Sequence, residues 1–164
     1  MNNVKKPELL VPAGSLEVLK TAVIYGADAV YIGGEIFSLR AKAKNFTFDE
    51  MAEGIAFAHD HGVKVYVTAN ILAHNYDLTA TEEYFREMNE LCPDGFIIAD
   101  PGIFTIARKI CPDIPVHIST QANNTNYLTY DFWWNQGAST FTSVLLPGFS
   151  IGIPALHNGQ SLGS

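Results

Sequence analysis

The chain has 164 residues, 48% of them hydrophobic and 16% charged, and a net charge of −7 at pH 7. That length fits about one domain, the composition excludes a disordered chain, and the acidic balance speaks against a general nucleic-acid binder, which is normally basic. No apolar run reaches the roughly 18 residues of a membrane span, and MNNVKKPELL lacks the apolar stretch of a signal peptide, so a cytoplasmic protein with no membrane partner is expected. The two cysteines, Cys92 and Cys111, form no C-x-x-C pair, so neither a disulfide framework nor a metal site is signalled.

Charge is unevenly spread. Every Lys, Arg, Asp and Glu lies at or before Asp131, and Phe132 to Ser164 carries none, whereas about a quarter of a typical domain is charged. The stretch LPGFSIGIPALHNGQSLGS has neither helical nor strand periodicity. The chain is therefore divided into a body, 1–138, and an aberrant or disordered tail, 139–164.

Within the body, strand and helix signals alternate. Leu9-Leu10-Val11 reads as a strand. Ser15 then caps a helix with Leu16, Leu19 and Val23 on one face and Gly26 past its end. Ala29 to Ile32 is a second strand, closed by Gly33-Gly34. Thr47 and Glu50 form a capping box that opens a helix reaching His61. Val63 to Thr68 is a third strand. Thr79 and Glu82 repeat the capping-box spacing ahead of a helix carrying Tyr84, Met88 and Leu91. Phe96 to Ala99 is a fourth strand, and Asp100 with Pro101 opens the next helix. Val116 to Ser119 is a fifth strand, a helix runs from Asn126 to Gly137, and Phe141 to Leu146 offers a sixth strand.

No hairpin signal interrupts this alternation, so a parallel sheet with right-handed crossovers is expected. Both an open doubly wound sheet and a (β/α)8 barrel satisfy it. The strands favour the barrel. Tyr66, Thr68 and Asn70 alternate with Val65, Val67 and Ala69, and His117, Ser119 and Gln121 alternate with Val116 and Ile118. One polar face suits a barrel lumen, whereas central strands of a doubly wound sheet are apolar on both faces. A complete barrel takes about 250 residues, so a truncated TIM-barrel-like fold of five or six β/α units is expected.

Barrel sites form at the C-terminal ends of the strands. Those positions hold Gly33, Gly34, Asn70, His74, Asp100, Gln121 and Asn123. Ser15 and Asp100 are explained by helix capping alone. Gln121 and Asn123 are not, and amides recognise planar polar ligands. His117 is a candidate general acid or base, with a satisfied core histidine as the equal alternative. His59 and His61 complement a helix C-terminus. Arg40, Lys42 and Lys44 form a basic cluster suited to an anion, or a solvated loop. Glu8 could face the lumen. Cys92-Pro93-Asp94 and Cys111-Pro112-Asp113 read as structural helix stops.

The segments PELLVPAGSLEVLKTAVIYGADAVYIGG, FSLRAKAKNFT, GVKVYVTANILAHN, IIADPGI and HISTQANNTN, in this order, resemble the N-terminal part of the collagenase-like peptidase family (U32). SLR, NFT and STQAN are most similar to its tRNA 5-hydroxyuridine modification branch. The resemblance implies a (β/α)8-type domain and, in a full-length form, a later cysteine-bearing region that holds an iron–sulfur cluster in some relatives. Neither Cys92 nor Cys111 matches those cysteines, so no cofactor is expected in this chain. The resemblance ends near Ala138, which implies a fragment inactive alone. Two activities follow from it: hydroxylation of a tRNA uridine, or proteolysis as a collagenase-like hydrolase, with an inactive remnant as the third reading. For the first, Arg40, Lys42 and Lys44 would meet phosphate, with Gly33, Gly34 and His74 also binding substrate. His117, Gln121, Asn123 and Asn70 would serve as the catalytic set. RNA or a peptide is the implied partner, and the open sheet edges of a truncated barrel favour self-association.

Overall fold

A computed structural model describes residues 7–34, 46–70, 74–75 and 78–141. Six strands alternate with five helices: β1 (Leu10–Pro12), α1 (Leu16–Ile24), β2 (Ala29–Gly33), α2 (Phe48–Asp60), β3 (Lys64–Ala69), α3 (Leu78–Leu91), β4 (Gly95–Ile98), α4 (Pro101–Ile110), β5 (Val116–Ile118), α5 (Tyr127–Asn135) and β6 (Thr140–Phe141). All strand pairs are parallel, and the order across the sheet is the order along the chain, β1-β2-β3-β4-β5-β6. A doubly wound sheet reverses its strand order at a switch point. Here there is no reversal, and the sheet is that of a truncated TIM-barrel-like α/β fold.

The two faces of the sheet carry different chemistry because strand side chains alternate. Val30, Ile32, Val65, Val67, Phe96, Ile98, Val116 and Ile118 face the helices and are buried with Leu19, Val23, Met51, Ile55, Phe85, Met88, Ile103, Phe104 and Trp133. Each such side chain contributes about 1.5–3 kcal/mol when fully buried. Phe85 of α3 meets Phe96 of β4 edge to face, ring centres 5.0 Å apart. The opposite face holds a separate small cluster of Ala29, Tyr66 and Ile97, with Tyr31 packed against it. That face is the lumen side.

Local signals place the helices. The Ser15 hydroxyl accepts from Val18 N, and Gly26 ends α1's turn at φ +90°. The Thr47–Glu50 capping box closes in both directions. Asp100 Oδ1 accepts from Ile103 N at 2.9 Å, with Pro101 opening α4. Asn126 caps α5. The second capping box does not form: α3 already includes Leu78, so Thr79 lies inside its first turn. The sheet continues past residue 138 into β6, where Thr140 pairs with His117 and Phe141 with Ile118. The expected extension of that strand to Leu146, and the segment 142–164, lie outside the described residues.

Candidate functional site

The strand register builds the lumen in rungs. Gly33, Thr68, Ile97, His117 and Thr140 are successive partners from β2 to β6. Tyr31, Tyr66 and Gly95 form the rung nearer the strand starts. The polar alternation expected for β3 and β5 is therefore on the lumen side. Thr68 Oγ1 donates to the Ile32 carbonyl at 3.1 Å, so it is occupied by the neighbouring strand.

Two groups of polar side chains result. The lower one joins the start of the chain to β3. Lys64 Nζ donates to Glu8 Oε1 at 2.9 Å, and the Tyr66 hydroxyl donates to the same carboxylate at 3.3 and 3.4 Å. Glu8 raises the Lys64 pKa, chiefly through that hydrogen bond. Burial raises Tyr66, with Glu8 adding to it. The edge of the Tyr66 ring meets His117, ring centres 4.8 Å apart. His117 Nδ1 is hydrogen-bonded to Thr140 Oγ1, whereas Nε2 is buried with no protein partner. Burial lowers the His117 pKa, more than the Glu8 carboxylate raises it. His117 thus sits within the lumen packing, over Gly95, rather than at the strand end.

The upper group lies at the C-terminal ends of the strands. Asn70 follows β3, half-buried, with Oδ1 enclosed and without a partner. After β5, the buried Ser119 hydroxyl accepts from Gln121 N at 3.4 Å and opens a 3-10 turn, Thr120–Ala122. Asn123 ends the turn in the left-handed conformation (φ 52°, ψ 47°), which Asn adopts more readily than most residues. Gln121 and Asn123 are both exposed. Asn124 is 9% exposed, and its Oδ1 accepts from Trp133 Nε1 at 3.0 Å. Its Nδ2 is buried and unpartnered. These groups are neutral donors and acceptors suited to a planar polar ligand.

The remaining candidates divide. Gly33 is on the lumen side, but Gly34 faces the helices: a Cβ there would lie 3.3 Å from the Tyr84 hydroxyl and 3.6 Å from Met51 sulfur. Gly34 leaves room for α2 and α3 side chains. His74 is exposed, beyond β3. Arg40, Lys42 and Lys44 lie outside the described residues. Asp100 is engaged as a helix cap, as expected. His59 Nε2 bonds Asp94 Oδ2 at 2.9 Å, and His61 Nδ1 bonds the Phe57 carbonyl at 2.8 Å. Among the described residues, no three His, Cys, Asp or Glu side chains converge as a metal-ligand group.

The cysteines do not fit an iron–sulfur cluster, whose ligands are thiolates. Cys111 is buried in the helix–sheet core, and its thiol donates to the Phe85 carbonyl at 3.2 Å. Burial pushes its pKa up to about 11. Cys92 Sγ is directed at the Asn89 carbonyl of its own helix. Both follow helix C-termini, at the end of the sheet opposite Asn70 and Ser119.

Sequence reasoning missed Asn124, Thr140 and the Glu8–Tyr66 link. The Asn123-Asn124 pair was visible, but only Trp133's indole distinguishes the buried amide from the exposed one. Glu8 and Tyr66 are 58 positions apart, so strand register is needed to join them.

Sequential parallel β/α units with polar groups at the strand ends define a barrel-type α/β protein. The model for Peptidase family U32 matches residues 14–143, and the chain belongs to that family. It is 49% identical over 133 residues to tRNA hydroxylation protein P1 of Bacillus subtilis, covering 81% of this chain and 32% of that protein. It is 42% identical over 141 residues to tRNA hydroxylation protein P of Escherichia coli, covering 86% and 30% respectively. The chain thus spans about a third of these relatives' length. A solved U32 peptidase superposes with a TM-score of 0.69 at 16% identity, covering 87% of this chain and 60% of that one, which supports the fold. No described helix is long and apolar enough to cross a membrane.

Proposed function

We propose that this chain supplies substrate-binding and lumen elements of an enzyme that hydroxylates a uridine of tRNA. The observation that carries this reading is the 49% identity, over 81% of the chain, to a tRNA hydroxylation protein. The strand-end chemistry agrees with it. Asn70, Gln121 and Asn123 are neutral amides, a side-chain type that reads a planar base by its hydrogen-bonding edge. In this reading Arg40, Lys42 and Lys44 meet tRNA phosphate. His117 holds the lumen wall below the base, and Cys92 and Cys111 take no part in iron–sulfur chemistry.

Among the described residues β1 and β6 are the outer strands of the sheet, and these edges are the proposed route of self-association. Exposed large apolar side chains gather at the first unit (Leu9, Leu10, Val18, Ile24, Tyr25) and the last (Tyr127, Leu128, Phe132, Trp134). Such faces and unpaired strand edges promote association.

The peptidase alternative rests on the family's name. Filter binding of unfractionated tRNA, beside a gelatin-hydrolysis assay, separates the two. Salt-dependent tRNA retention without gelatin cleavage supports RNA. Gelatin cleavage that His117→Ala abolishes, with no tRNA retention, overturns it.

A further inference from the structure

A chain of side-chain contacts crosses the lumen face from before β1 to β6. Lys64 Nζ donates to the Glu8 carboxylate at 2.9 Å, and the Tyr66 hydroxyl donates to it at 3.3 and 3.4 Å. The Tyr66 ring lies against the His117 ring, centres 4.8 Å apart. His117 Nδ1 in turn is hydrogen-bonded to Thr140 Oγ1. β6 is only two residues long. Its other ties are a short backbone ladder to β5, which Ser139 N begins by donating to the Val116 carbonyl at 2.8 Å, and the contact of Phe141 with Tyr130, ring centres 5.0 Å apart. The His117–Thr140 bond is the side-chain link between β5 and β6.

This arrangement suits a neutral imidazole and not a charged one. A neutral ring can donate Nδ1–H to Thr140 and leave Nε2 bare. A second proton puts a charged N–H on Nε2, which is enclosed over Gly95 and has no partner. Buried charges without a partner are strongly disfavoured. The charged groups around the ring are already engaged. Glu8 is held by Lys64 and Tyr66. Asp94, which acts on Tyr66, is held by His59 Nε2 at 2.9 Å and by Val65 N at 2.8 Å. Lys64 is a cation and opposes a second one. Burial, the largest effect, already holds the His117 pKa below its ordinary value against the pull of Glu8. A ring turned out to water has both N–H groups solvated.

We propose that the Glu8–Tyr66–His117–Thr140 chain is an acid-sensitive latch on β6: when His117 takes up a proton its ring leaves the space over Gly95 and lets go of Thr140, and β6 detaches from β5 while β1 to β5 stay paired. The open form binds the proton at the ordinary value of 6.5 and the closed form only at a lower one. The latch is therefore shut above 6.5 and opens as pH falls through 6.5 toward the closed-state value. It follows from the packing of the lumen side, whatever the substrate.

The test is amide hydrogen exchange, read by nuclear magnetic resonance on the full chain at pH 7.5 and pH 5. Protection factors are compared, so the intrinsic slowing of exchange in acid cancels. The Ser139 amide reports on β6, and the Phe96 amide, which donates to the Pro115 carbonyl at 2.8 Å, reports on the β4–β5 pairing. Protection at Ser139 should fall about tenfold at pH 5 while that at Phe96 changes less than about twofold, the mark of a local opening. His117→Gln takes up no proton and should keep Ser139 equally protected at both pH values. Thr140→Val cuts the link from the other side and should show at pH 7.5 the low Ser139 protection of the wild type at pH 5. Glu8→Gln removes the carboxylate that favours the charged ring, so the titration of the His117 ring protons and the loss of Ser139 protection should both move to lower pH. Unchanged Ser139 protection in the wild type, an equal fall at Ser139 and Phe96, or a fall that persists in His117→Gln overturns the latch.

Discussion

The ring of His117 fills the space a side chain on Gly95 would occupy: a Cβ at Gly95 would lie 2.5 Å from His117 Nε2 and 2.8 Å from Cδ2. The same Cβ would approach Tyr66 Cδ1 at 3.1 Å. Glycine at the start of β4 is thus the condition for an imidazole in the lumen. Gly95→Ala should destabilise the chain by about 1–3 kcal/mol, the usual range for overpacking. Adding His117→Ala should recover part of that loss, because the two side chains compete for one space. Denaturant unfolding of the two single variants and the double variant measures the coupling. Simple additivity would contradict the competition.

His117 also makes stability depend on pH. Burial holds its pKa below the ordinary 6.5, against the opposing pull of Glu8 and with Lys64 lowering it further. The unfolded chain therefore takes up this proton first as pH falls. The stabilisation is complete above 6.5 and is lost as pH drops through 6.5 toward the lower folded value. His117→Gln should flatten the midpoint-versus-pH curve below 6.5 relative to wild type. Parallel curves for the two proteins would refute this.

The two capping-box signals have different fates, and mutation should separate them. Thr47 accepts from Glu50 N at 3.3 Å, and Glu50 Oε2 accepts from Thr47 N at 2.9 Å. Thr47→Ala should cost about 1 kcal/mol. Thr79 is exposed inside the first turn of α3, where alanine is the better helix former. Thr79→Ala should change thermal stability by less than about 0.5 kcal/mol, in either direction. Equal losses at the two positions would place the start of α3 elsewhere.

The thiols should differ sharply in reactivity. Cys92 is exposed, whereas Cys111 is buried with a pKa near 11. Thiolate is the reactive form, so native protein at neutral pH should label once with a maleimide and twice after unfolding. Rapid double labelling of native protein would contradict the burial of Cys111.

The barrel was legible in the sequence because its evidence is local. Alternation of Tyr66, Thr68 and Asn70 with Val65, Val67 and Ala69 needs only a period of two, and Ser15, Thr47, Asp100 and Asn126 announce helix starts within three residues of the groups they cap. Thr79 shows the limit: the spacing of a capping box is present, but the helix begins before it. The site was less legible. Residue type pointed to Asn70, Gln121 and His117, yet only the strand register shows that His117 is packed over Gly95 below the strand ends. By sequence Gly34 stands with Gly33 as a candidate substrate contact, whereas Tyr84 and Met51 approach it from two different helices. Asn124 differs from Asn123 only by an indole nine positions along the chain.

Under the proposed function these β/α units serve tRNA hydroxylation. The most direct measurement transplants residues 14–141 of this chain into tRNA hydroxylation protein P1 of Bacillus subtilis, in place of the matching segment. The chimera is expressed in cells lacking their own tRNA hydroxylation proteins, and hydroxylated uridine in their tRNA is quantified by nucleoside mass spectrometry. If these units serve tRNA hydroxylation, the modification returns. A folded, abundant chimera that leaves the tRNA unmodified would contradict it.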